Sequence, residues 1–223
     1  MIFKAAIFDM DGTLIDPFSA WKNSFRKTLG LMNHHMTEDE LIDLYRMTFD
    51  ETTAFFRDIY DSQELPGSIS FEAIMQNLTS EMESQYAFEV QEKPHALQFV
   101  KALHDSGIPI CVATLTSKNL AEKALTRLGF MPYLQFIITG DEVGASKKFA
   151  DIYLNAAERL GFPPNDTIVF EDCLTAAKTA YVSDFIVCGV ADQHQSHSIE
   201  EMYPYCHWMI VNYQNACNMV LHN

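Results

Sequence analysis

Asp9 and Asp11 stand one residue apart at the end of an apolar run, Ile2 to Phe8, and Gly12 and Thr13 follow at once. The run is short, rich in β-branched and aromatic residues and interrupted only by Lys4, so it reads as a buried strand. In a parallel α/β sheet, ligands bind at the carboxyl ends of the strands, where these acids would stand. Two carboxylates there repel one another and are costly to bury unless a cation or a proton lies between them. The plain alternative is a strand leaving through an Asp-Gly turn with both acids solvated.

Three further stretches bear on that choice. Ile108 to Ser117, I-P-I-C-V-A-T-L-T-S, is an apolar strand ending in the hydroxyls of Thr114, Thr116 and Ser117. Hydroxyls and free backbone N–H groups before a helix suit phosphate oxygens, although the same residues also serve as helix caps. Lys147 and Lys148 follow the turn-like Thr139 to Gly144, where a lysine either holds a phosphate as a point charge or is simply exposed. Thr167 to Asp172, T-I-V-F-E-D, is another strand that ends in paired acids.

Together, D-M-D-G-T, the strand-end Thr114, Lys147 and V-F-E-D resemble the four motifs of the haloacid dehalogenase superfamily. Within it the chain is similar to the β-phosphoglucomutase-like phosphatases, which carry a helical cap after the first motif. The likeness runs from Ile2 to about Val190. It implies a Rossmann-like doubly wound core and magnesium-dependent phosphoryl transfer. It also implies a set of Mg²⁺ ligands: the Asp9 and Asp172 carboxylates, the Asp11 backbone carbonyl, and Glu171 directly or through water. Thr114, the Leu115 backbone N–H and Lys147 would hold the phosphoryl oxygens. Dehalogenases of the superfamily need neither an acid at the Asp11 position nor a metal, so D-x-D argues for phosphate chemistry.

The residues support that chemistry in their own right. A carboxylate such as Asp9 is a suitable nucleophile toward phosphorus, and an aspartyl-phosphate splits one hard displacement into two easier ones. Asp11 can protonate the leaving alcohol and then take a proton from the attacking water. A phosphoester approaching carboxylates is repelled, so a hard cation with oxygen ligands is needed, and Mg²⁺ suits. The chain departs from the family pattern at Leu115, His95, Tyr181, Lys148 and Ala150. The last two replace the prolines usual after the lysine; spacing favours Lys147 over Lys148.

Bulk properties fit an enzyme with one sizeable core and a smaller accessory unit: 223 residues, 48% hydrophobic. A net charge of −15 without a basic stripe argues against nucleic acid, and nothing in the sequence suggests a membrane. The five cysteines are scattered, with no C-x-x-C or zinc spacing, and imply free thiols in a reducing compartment. The N-terminal apolar run is too short for a signal peptide or span, so the expectation is a cytoplasmic protein.

After Asp16-Pro17 the period switches from strand to helix, with Phe18, Trp21, Phe25 and Leu29 on one face. Thr37 to Glu40 is a capping box, and helical texture continues through Thr52 to Tyr60, breaks at Leu65-Pro66-Gly67-Ser68 and resumes over Phe71 to Tyr86. Residues 17–89 therefore read as an all-helical cap inserted into an α/β core of residues 1–16 and 90–223, with hinges near Asp16 and Glu92. From Pro94 helix and strand alternate, which implies a parallel sheet with right-handed crossovers. Met32, Met36 and Met47 read as cap core, and His194 and His197 as exposed loop residues.

The expectation is a capped, magnesium-dependent phosphatase of a small phosphorylated metabolite, such as a sugar phosphate or phosphoglycolate-like compound, acting as a monomer or homodimer. The alternatives are a sugar phosphomutase and a non-catalytic sensor of a phosphometabolite. The cap would choose the substrate, and Trp21, Arg46 and Thr48 are candidates for that role.

Overall fold

The computed structural model describes residues 3–62, 69–144, 146–214 and 216. The break expected at Leu65-Pro66-Gly67-Ser68 and the fifth cysteine, Cys217, lie outside the described residues. The chain falls into two compact units, Met1–Asp16 with Gln91–Asn223, and Pro17–Val90.

The strands are β1 (Ala5–Phe8), β2 (Ile15–Asp16), β3 (Gln91–Glu92), β4 (Ile110–Thr114), β5 (Phe136–Thr139), β6 (Thr167–Glu171), β7 (Ile186–Val190) and β8 (Trp208–Ile210). Among the described residues, six form one sheet in the order β5-β4-β1-β6-β7-β8. Every neighbouring pair is parallel. From β1 the chain winds outward through β4 and β5, then returns to β6 and winds the other way. The switch point therefore lies between β1 and β6, and a crevice opens there at the carboxyl ends. Residues of β1 are fully buried, as expected of a central parallel strand covered on both faces.

Alternation sends successive side chains of β1 to opposite faces. On one face Phe8 stacks on its register partner Phe170 at 4.2 Å between centroids, and Phe99 meets both edge-on. On the other, Ala5 and Ile7 join Cys111, Ala113, Val169 and Val187 against Tyr153, Ala156 and Ala157. These last three lie on one of the helices, which are α1 (Phe18–Gly30), α2 (Glu38–Tyr45), α3 (Phe49–Ser62), α4 (Phe71–Phe88), α5 (Ala96–Asp105), α6 (Lys118–Arg127), α7 (Gly140–Val143), α8 (Asp151–Leu160), α9 (Leu174–Val182) and α10 (Ile199–Met202).

Helices α1 to α4 make up the second unit. Phe18, Phe25 and Leu29 are buried along α1. The capping box at Thr37 and Glu40 forms as expected, with Thr37 N–H donating to Glu40 at 2.7 Å. Thr48 and Glu51 repeat the same reciprocal arrangement at the start of α3. Met32 is core, whereas Met47 is exposed.

Two features escape periodicity. Ile15 and Asp16 pair antiparallel with Glu92 and Gln91, a ladder joining the segments by which the chain leaves and re-enters the first unit. Beyond Val190, α10 and the edge strand β8 complete the sheet. Such two- and three-residue strands carry too few residues for a period to show. No helix of the described residues is long and apolar enough to cross a membrane. The four described cysteines are free.

Candidate active site

The site is assembled from strand ends. Asp9 leaves β1 immediately after Phe8, and its N–H donates to the Phe170 carbonyl of β6 at 3.0 Å, so the two central strands stay paired up to the acid. The chain then turns tightly, with the Met10 carbonyl accepting from Leu14 at 2.8 Å and Ile15 at 3.0 Å. Gly12 has φ +88°, and a Cβ there would run into the Asp172 carboxylate. Glycine is required twice over, by conformation and by space.

At the end of β6, Glu171 and Asp172 are buried. Lys147, also buried, donates to Asp9 Oδ1 and, at 2.5 Å, to Glu171 Oε1. The same Glu171 oxygen accepts from the Tyr153 hydroxyl of α8 at 2.5 Å. Thr13 donates to Asp172 Oδ1 at 3.1 Å, and Gln195 to Oδ2 at 2.6 Å. Thr114, buried at the end of β4, accepts at 3.0 Å from the Thr116 N–H, and the Thr116 hydroxyl donates to Asp11 Oδ2 at 2.6 Å.

The carboxylates are under electrostatic stress. Burial, aided by Asp9, pushes Glu171 up to about 7 even with Lys147 against it. Burial and then the Asp9 and Glu171 charges hold Asp172 well above the usual carboxylate range. For Lys147 burial works against the ammonium, but Asp9 and Glu171 outweigh it and its pKa stands above the ordinary value. Tyr153 is raised by burial and by Glu171.

One carboxylate oxygen each from Asp9, Glu171 and Asp172 lie within 4.8 Å of one another. Three buried acids face one buried ammonium, and the uncompensated charge is of the kind a divalent cation neutralises. Carboxylate and carbonyl oxygens are hard donors, so the residues fit Mg²⁺.

Of the residues singled out in the sequence, Asp9, Lys147, Glu171 and Asp172 form one buried cluster, and Asp11 and Thr114 are joined to each other through Thr116. Leu115 projects outward, 54% exposed. Lys148 is exposed. Sequence reasoning passed over Tyr153, Thr13 and Gln195. Tyr153 lies on the apolar face of α8 and looks like plain core, and the contacts of Thr13 and Gln195 come from residues distant in sequence. His194 and His197, expected on an exposed loop, are half-buried. Burial holds His197 below the ordinary histidine value, with the Asp172 backbone beside it acting in the opposite sense.

A Rossmann-like sheet with an acidic, lysine-bridged centre at its switch point defines an α/β enzyme. Residues 6–190 match the sequence profile of the haloacid dehalogenase-like hydrolases, and the chain belongs to that family. Its relatives include the fructose-1-phosphate phosphatase of Escherichia coli, 26% identical over 80% of this chain and 93% of that protein. Another is the phosphorylated carbohydrates phosphatase of Thermotoga maritima, 27% identical over 79% of this chain and 80% of that one. In fold, the chain is similar to the crystal structure of a beta-phosphoglucomutase-like protein from Thermotoga maritima, with a TM-score of 0.84, 22% identity and 99% of each chain covered.

Proposed function

We propose that this chain is a magnesium-dependent phosphatase of a small phosphorylated sugar or phosphoglycolate-like metabolite, working through an aspartyl-phosphate on Asp9. Family membership and phosphatase relatives make it a phosphoric monoester hydrolase. The observation that carries the finer reading is the Lys147 ammonium bridging Asp9 and Glu171 beside Asp172. A pure binding site has little need of a nucleophile-ready carboxylate with an acid-base carboxylate two residues on.

In this mechanism Asp9 attacks phosphorus while the bond to the leaving oxygen breaks, and Asp11 gives that oxygen its proton. Asp11, now a carboxylate, takes a proton from water as the water attacks the aspartyl-phosphate. Phosphate departs and Asp9 is regenerated. Thr114, the Leu115 N–H and Lys147 hold the phosphoryl oxygens as charge redistributes. Mg²⁺, held by the Asp9 and Asp172 carboxylates and the Asp11 carbonyl, with Glu171 directly or through water, would supply neutralisation of the phosphoryl charge. The helical unit, residues 17–89, would act as a cap that chooses the substrate and limits water.

The test is phosphate release from a panel of sugar phosphates and phosphoglycolate with Mg²⁺, repeated in EDTA and with Asp9→Asn. Steady release that falls to background in both controls is expected. No release from any substrate, or full release in chelator, would sink the proposal.

A further inference from the structure

We propose that the loop of residues 192–197 is a built support for the Asp172 carboxylate, with Gln195 as a positioning residue for the divalent cation. The inference rests on the magnesium reading above. Both oxygens of Asp172 are held by donors from separate parts of the chain, Oδ1 by Thr13 at 3.1 Å and Oδ2 by Gln195 at 2.6 Å. His197, from the same loop, lies against the backbone of the same aspartate.

The loop is anchored at its base. Asp192, whose side chain is 3% exposed, accepts from Lys93 at 2.5 Å, and its other oxygen accepts from the His194 N–H at 2.7 Å. Lys93, itself 15% exposed, follows β3, and its own N–H donates to the Leu14 carbonyl at 2.8 Å. The chain segment that ties the site's first loop to β3 therefore also pins the start of the Gln195 loop.

A side-chain amide aimed at a buried carboxylate fixes which way that carboxylate points. With each oxygen committed to one donor, its remaining lone pairs have a single orientation to offer a cation. Outer partners of this kind typically govern metal affinity by about 10- to 100-fold.

The experiment is Mg²⁺ titration of the intact chain, followed by calorimetry and by the metal-induced rise in Tm. It compares wild type, Gln195→Met, and the double variant Lys93→Met/Asp192→Asn, which removes both charges of the anchor together. Gln195→Met should bind Mg²⁺ about 10- to 100-fold more weakly, and the double variant should shift the same way by less. A merely structural role would lower the Tm of the metal-free protein and leave the Mg²⁺ affinity alone. Unchanged affinity in both variants overturns the proposal. Gln195→Asn, one methylene shorter, makes the same comparison if the methionine variant does not fold. A wild type that shows no Mg²⁺ binding by either method instead overturns the magnesium reading, and this inference with it.

Discussion

The Thr116 hydroxyl donates to Asp11 Oδ2 at 2.6 Å, joining two strand-end loops whose residues lie 105 positions apart. No side-chain cap bond forms at Ser117 at the start of α6. The hydroxyl expected either to cap that helix or to meet phosphate is instead spent on the candidate acid-base residue. A hydrogen bond to a charged group contributes about 1.5–3 kcal/mol. If all of it acts on the reacting geometry, Thr116→Val lowers kcat by about 10-fold or more with KM little changed, and Thr116→Ser restores it. Steady-state kinetics check this; a fully active valine variant would remove Thr116 from the site.

Lys147 and Lys148 are adjacent but not equivalent. Lys147→Ala leaves Asp9, Glu171 and Asp172 buried together without their ammonium. Removing one partner of a buried ion pair costs about 3–5 kcal/mol. The variant should lose activity and unfold at markedly lower urea when metal-free. Lys148→Ala, at an exposed position, should stay within about 0.5 kcal/mol of wild type and keep its turnover. The reverse ranking would place the phosphate-binding lysine one residue later.

Stability should depend on pH and metal together. Glu171 is raised to about 7 from 4.5, and Asp172 is raised as well, so the folded metal-free protein holds protons that the unfolded chain releases. Stability from these groups is fully present below their unfolded pKa values and is lost as pH rises through the folded ones. The metal-free Tm should therefore fall between about pH 5 and 8. Mg²⁺ binds the deprotonated carboxylates, so its stabilising effect should grow across the same window. Thermal melts with and without Mg²⁺ at several pH values test this; a metal effect that shrinks with rising pH would contradict it.

Asp11→Asn separates proton transfer from binding. Its backbone carbonyl is unchanged, so Mg²⁺ affinity should hold. Loss of general acid-base help, typically 10²–10⁴-fold, should fall on alkyl phosphates. Aryl phosphates, whose phenolate leaves without protonation, should react well in the first step and give a burst of phenol as the aspartyl-phosphate accumulates. Pre-steady-state kinetics on both substrate types decide it: equal first-step losses and no burst would leave Asp11 a structural residue.

Much of the architecture was legible because the core obeys simple periods. Strands β4 and β6 start within two residues of the apolar runs that open at Ile108 and Thr167, since each is a β-branched run bounded by turn residues. The Thr37 capping box was visible for the same local reason, while its twin at Thr48 makes Thr48 a helix cap. Edge strand β8 and the β2–β3 ladder were not visible, because pairing with distant partners, rather than pattern, defines them.

For the site, the amino-acid sequence alone determined which groups stand at strand ends: Asp9 and Asp11, Thr114, and Glu171 with Asp172. A strand ends where its apolar run ends, and a parallel sheet sends those ends to one edge. Tertiary structure alone decided what each group meets there. It set Lys147 between Asp9 and Glu171, turned Thr116 onto Asp11, and brought Tyr153 and Gln195 to the two acids at the end of β6. The physical reason is that burial makes an unpaired charge costly, so side chains from remote segments are drawn to it as partners. Spacing along a chain cannot encode that demand, because it exists only once the sheet has closed around the acids.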